Sequence, residues 1–167
     1  MNTATIAERP VRQRRTGLDV LQQLRVVIRL ADAHSSLLEQ ATGVPGAQLW
    51  ALHEIGEHDG LKVGELAQRM RMHQTTISNL LARLEQKGLI RKDRAEDDQR
   101  VVNLHVSAAG RKLLHAAPAP RRGLLPHVLD HMTPEQLRKV HDGLAVLVDC
   151  MGGFDASLAQ KPMPFTE

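Results

Sequence analysis

Between Gln74 and Arg83, the small polar side chains Gln74, Thr75, Ser78 and Asn79 share one helical face, with Arg83 one turn further on. Ile77, Leu80, Leu81 and Leu84 line the opposite stripe. Hydroxyl and amide groups in that arrangement suit hydrogen bonding to base edges and phosphate oxygens in a DNA groove. Just downstream lie Arg91, Lys92, Arg94 and Arg100, and guanidinium groups are drawn into a narrow minor groove by its negative potential. Arg69 to Arg94 holds seven basic residues against two acidic ones, a net +5, whereas Thr133 to the end carries −2 and the whole chain +3. The positive charge is concentrated mid-chain, which favours nucleic acid as the partner.

Other chemistry has less support. There is no phosphate-cradling glycine loop, no serine elbow and no metal-binding helix motif, so neither an enzyme nor a cofactor is expected. His127 and His131 stand four apart, a spacing that puts two ligands on one helical face. Pro126 and Asp130 make the same stretch a capped, exposed turn, and no metal site is expected. The single cysteine, Cys150, excludes an internal disulfide or a multi-thiolate metal site. At the end of an apolar stripe it reads as a small hydrophobe, since Asp149 and Met151 offer no cation to activate the thiol. A reducing cytoplasm is expected. No run of eighteen apolar residues occurs in the 167, so no membrane span is expected.

The elements that must position the polar face are mostly helical, because Tyr is absent and Phe and Trp together number three. The core is left to Leu, Val, Ile, Ala and Met, and of these Leu, Ala and Met are strong helix formers. The expected class is mainly α with a small β-wing. Residues 1–17 read as a disordered basic tail whose Arg9, Arg12, Arg14 and Arg15 serve either for solubility or as an arm for the minor groove. A long first helix follows over 18–42, with Leu18, Leu21, Leu24, Ile28, Ala31 and Leu38 at helical spacing. It should reach about 36 Å at 1.5 Å per residue, more than one small core covers.

Residues 45–107 read as three helices and a two-stranded hairpin with a charged tip. Residues 108–152 are helical again, broken at Pro118 and Pro120 and resumed behind Thr133 and Pro134 as cap and first residue. Residues 153–167 read as a loose tail.

The run Lys62 to Gly110, with Leu66-Ala67, "TTISNLLARLEQKGLI" from Thr75 to Ile90, and Asp98-Gln99-Arg100, resembles the DNA-binding core of MarR-type transcriptional regulators. With the long helix before it and the helices after it, the resemblance covers about Leu18 to Met151. It implies a winged helix-turn-helix core between N- and C-terminal dimerisation helices, and a homodimer bound to double-stranded DNA at a near-palindromic operator. The DNA-binding residues it implies are Gln74, Thr75, Thr76, Ser78, Asn79, Arg83, Arg94, Asp98 and Arg100. Arg100 would enter the minor groove and Asp98 would orient it.

The resemblance further implies a repressor released by a small-molecule effector, often a phenol or aromatic acid, bound in a crevice beside the second helix. Trp50, with His53, is placed either in the core or on that crevice. Three other readings stay open: a metal- or redox-responsive regulator of the same fold, a helical interaction module that binds no DNA, and a hydrolase using Cys150.

Overall fold

A computed structural model of the chain describes residues 11–94 and 102–166. Helices α1 (Val11–Thr42) and α2 (Gly46–Glu57) come first, followed by a short strand β1 (Leu61–Lys62). Helices α3 (Val63–Met70) and α4 (Gln74–Gln86) lead into strands β2 (Ile90–Arg94) and β3 (Val102–Val106). Helices α5 (Ala108–Ala116), α6 (Leu124–Asp130), α7 (Pro134–Cys150) and α8 (Ala156–Ala159) and a 3₁₀ turn (Pro164–Thr166) complete the described chain.

The core is built around α2. Leu49, Leu52 and Ile55 are fully buried and meet Leu66 of α3, the α4 stripe Ile77, Leu81 and Leu84, and Leu104 of β3. These are the apolar positions that helical spacing selects. The sheet has the order β1-β3-β2, all antiparallel, with Leu61 opposite Leu104 and Ile90 opposite Val106. The expected hairpin therefore gains a third strand, and two residues are too few for alternation to reveal it.

Caps follow from residue type. Ser107 Oγ accepts from Gly110 N–H at 3.0 Å at the start of α5. Thr133 Oγ1 accepts from Gln136 N–H at 3.2 Å while Gln136 Oε1 accepts from Thr133 N–H at 2.8 Å, a reciprocal pair that opens α7. The connection between α3 and α4 turns through Arg71, whose φ of 51° places a non-glycine residue in the left-handed region.

Three expectations need correction. The basic tail assigned to 1–17 is helical from Val11 onward. Arg and Gln are strong helix formers, and Gly17 alone does not interrupt them. The tail assigned to 153–167 forms α8 and the 3₁₀ turn, with Asp155 Oδ1 accepting from Ser157 N–H at 2.8 Å. The 3₁₀ turn packs on α1 and α2, a contact that no periodicity reports. Cys150 is exposed and not part of the core.

Among the described residues no helix is long and apolar enough to cross a membrane. None of the described His, Cys, Asp and Glu residues gather in groups of three able to hold a metal. The His127 and His131 rings lie with centroids 4.3 Å apart and planes tilted by 50°, and His131 Nδ1 lies 2.7 Å from the His127 carbonyl oxygen.

Gly110 is where α5 meets the sheet: an added Cβ would stand 2.2 Å from the Leu89 carbonyl oxygen and 2.7 Å from Val106 Cγ1. A backbone oxygen cannot move aside cheaply, so Gly110→Ala is expected to cost about 1–3 kcal/mol in urea unfolding. Gly64→Ala, where nothing lies within 4 Å, is expected to gain roughly 0.5 kcal/mol by removing backbone freedom from the unfolded chain. Equal effects at the two sites would show that close packing at Gly110 is not what excludes a side chain.

Candidate nucleic-acid interface and effector cavity

Helix α4 buries Ile77, Leu80, Leu81 and Leu84 and leaves Gln74, Thr75, Ser78, Asn79 and Arg83 exposed on its other faces. Thr76 is half-buried at the edge. Ser78 Oγ donates to the Gln74 carbonyl at 2.8 Å, so its hydroxyl oxygen offers acceptor lone pairs to a ligand.

The cations beside this face differ in availability. Lys92 Nζ is held by Glu85 Oε2 at 2.7 Å, and Lys87 Nζ donates to the Gly43 carbonyl at 2.7 Å. Arg91 lies 3.4 Å from Asp93. Arg83 and Arg94 are exposed, with no ion pair among the described residues. Asp98 and Arg100 lie outside the described residues.

A second feature lies between α1, α2 and the chain entering α6. A cavity of about 100 Å³ is walled by Leu38, Trp50, Leu124, Met163 and Phe165 among others, and its lining is overwhelmingly apolar. Trp50 is half-buried against it. Its Nε1–H donates to Glu54 Oε1 at 2.9 Å, and the Arg122 guanidinium carbon stands 5.5 Å from the ring centroid.

Glu54 is buried, and a carboxylate in that setting needs compensation. Besides Trp50 it has Arg122 Nε at 3.1 Å from Oε1 and Arg69 Nη1 at 3.9 Å from Oε2. Arg122 Nε is buried without an aligned hydrogen bond, so the 3.1 Å pair rests on charge and not on a directed bond. Arg122 Nη1 also donates to Asp130 Oδ2 at 2.6 Å. Glu54 and Arg122 escaped the sequence reading, although a Glu inside the apolar run of α2, four residues after a Trp, was the available signal.

His53 does not line the cavity. Three residues after Trp50 it is turned by about 60° around the helix, and its Nδ1 lies 4.0 Å from Glu57 Oε1.

An exposed polar helix seated on a helix-turn-helix, flanked by a three-stranded wing, defines a winged-helix protein. The MarR family model matches residues 42–101. The repressor MdtR of Bacillus subtilis is 33% identical over 95 residues, covering 57% of this chain and 61% of that protein. The chain thus spans about three fifths of the length of that curated relative. The MarR regulator Sco3205 of Streptomyces coelicolor, solved in complex with DNA, superposes with a TM-score of 0.58 at 22% identity, covering 81% of this chain and 90% of that one. A probable transcriptional regulator from Pseudomonas aeruginosa gives 0.52 at 26% identity, covering 77% and 99%. The likeness to the MarR family is thus carried by the winged-helix segment, residues 42–101.

Burial holds the His53 pKa below its ordinary 6.5; Arg121 and Arg122 add to this, while Glu57 and Glu54 oppose it. The unfolded chain therefore binds a proton that the folded chain resists, and stability falls as pH drops below 6.5 toward the folded value. Between about pH 7 and 5 the melting temperature of the parent should fall more steeply than that of His53→Gln. Parallel curves would assign the acid sensitivity to another group.

Proposed function

We propose that this chain is a homodimeric, sequence-specific DNA-binding transcriptional regulator, a cytoplasmic repressor released by a small phenolic or aromatic-acid effector. The observation that carries the reading is the exposed face of α4, with Gln74, Thr75, Ser78, Asn79 and Arg83 held outward by the buried stripe behind them. Side chains on a rigid, well-seated helix can enter a major groove without reorganising.

Dimerisation is supported by the apolar side chains that the fold leaves uncovered. Leu18, Val26, Ile28 and Leu30 of α1 and Leu144 and Val146 of α7 are between 48% and 65% exposed. Such surface marks an interface. A two-fold pair would read a near-palindrome with half-site centres about 10 bp apart or a multiple of that.

For the effector, the apolar wall and Trp50 favour an aromatic ring. The guanidinium lining the cavity is already neutralised by Glu54 and Asp130, so a neutral phenol fits better than a carboxylate.

Selection of bound duplexes from a random pool is the direct test, with an enriched near-palindrome expected; no enrichment would overturn the reading. Against the selected duplex, Asn79→Ala should lose about 1–3 kcal/mol while binding to random DNA stays level. Equal loss on both would reduce Asn79 to a backbone contact.

The resemblance assigns Arg100 to the minor groove. Arg100→Ala should therefore lower the slope of log affinity against log salt by about one unit. Arg100→Lys should lose less, because the charge stays while the planar fork is gone. Unchanged slope and affinity for Arg100→Ala would remove the wing from the interface.

A further inference from the structure

The segment 154–166 touches two places of functional interest at once. At its far end Met163, Phe165 and Thr166 form part of the cavity wall, with the 3₁₀ turn packed on α1 and α2. The turn lies against the start of α2, where Thr166 Cβ is 3.5 Å from the place a Cβ at position 46 would take, ordinary van der Waals contact. At its near end Phe154, Ala156, Ala159 and Gln160 face Gln68, Arg71 and Met72 across a shallow groove. There the His73 N–H, immediately before α4, donates to the Gln160 carbonyl at 3.3 Å.

We infer that this C-terminal strap is a built-in plug of the effector cavity that also braces the helix-turn-helix, and that the effector acts by displacing it. The inference rests on the proposed regulator reading and adds how the cavity is gated.

Size is the first argument. The space left is about 100 Å³, whereas an apolar cavity of about 150 Å³ is known to admit a benzene ring and pockets for drug-sized ligands measure about 300–1,000 Å³. An aromatic effector therefore enters only if part of the wall leaves. The strap contributes no residue to the buried core cluster, so its departure leaves that cluster intact.

Weak attachment is the second argument. Phe154, Leu158 and Met163 remain 73%, 63% and 50% exposed, so most of the strap's apolar surface gains little from docking. Its backbone bonds are otherwise internal, from Lys161 N–H to the Leu158 carbonyl and from Thr166 N–H to the Met163 carbonyl, 3.2 and 2.9 Å. It can leave as a unit without breaking the body of the protein.

Consequence for DNA follows from the near end. Arg71 holds a left-handed conformation at the turn, a strained state that persists when its surroundings fix it. A docked strap is one of those surroundings. Once it leaves, the turn is released and the N-terminal end of α4, which carries Gln74 and Thr75, loses its brace.

The test uses the full chain, a chain ending at Gly153, and Phe165→Ala, which keeps the strap and empties the plug. Trp50, the one tryptophan, reports on the cavity. The probe is neutral 4-nitrophenol, read by quenching of Trp50 emission, with acrylamide quenching as the measure of access. If the plug is seated about nine-tenths of the time, both variants should bind the probe about tenfold more tightly than the full chain. Acrylamide should also reach Trp50 more readily in both.

On the selected duplex, the chain ending at Gly153 should bind about tenfold more weakly than the full chain and lose little more when the probe is added. Equal probe affinity and equal quenching in all three chains would overturn the plug. Tighter probe binding with undiminished DNA affinity in the shortened chain would overturn the brace. If the full chain binds no duplex at all, the regulator reading fails, and the Trp50 measurements still decide whether the strap closes the cavity.

Discussion

Burial of four side chains on one side of α4 dictates what its other side can do. Ile77, Leu80, Leu81 and Leu84 pack into a core built with α2, α3 and β3 and completed by Leu38 of α1, Leu61 of β1 and Ile90 of β2, among others. Each fully buried Leu or Ile contributes about 1.5–3 kcal/mol. Rotating α4 by one residue would turn the helix by about 100° and expose part of that stripe. The orientation of Gln74, Thr75, Ser78 and Asn79 is thus fixed by residues that never meet a ligand. The β-wing depends on the same seating, because Lys92 of β2 reaches back to Glu85 near the end of α4.

Glu54 ties this unit to the rest of the chain. A carboxylate on the buried side of α2 would be destabilising if left alone. It is kept by an indole N–H from its own helix, a guanidinium from α3 and a guanidinium from the segment before α6. The three partners belong to the cavity wall, the helix-turn-helix and the connection toward α7. Any ligand that moves Trp50 or Arg122 must therefore re-pair a buried charge, and in a low-dielectric site such re-pairing is costly enough to be felt in α3.

The parts legible in the sequence are those with a period. The stripes of α2, α3 and α4 follow from 3.6-residue spacing, and Thr133-Pro134 and Ser107 announce helix starts because their side chains satisfy exposed N–H groups. The candidate α4 face was legible for the same reason: it is the complement of the stripe. What escaped was set by tertiary contact alone. Strand β1 exists because β3 offers it a partner. The strap from Asp155 to Thr166 carries Pro162 and Pro164 and no apolar period, so it reads as a loose tail until α1 and α2 give its end somewhere to pack. Glu54 and Arg122 lie 68 positions apart, and only the fold brings them to 3.1 Å.

Charge counting overstates how much of the basic region can face DNA. Of its seven cations, Lys92, Lys87, Arg91 and Arg69 are engaged by Glu85, the Gly43 carbonyl, Asp93 and Glu54. Arg71, Arg83 and Arg94 are exposed, with no ion pair among the described residues. Affinity for a polyanion grows with the number of phosphates neutralised, each contact adding about 0.9 to the salt slope. Three such groups, with Arg100 beyond the described residues added by the resemblance, make a small set for a polyanion. In the proposed homodimer that set would be doubled, with the uncovered apolar faces of α1 and α7 as the pairing surface. The long helices that look excessive for a single core and the sparse free charge on the winged helix are, in this view, two sides of one requirement.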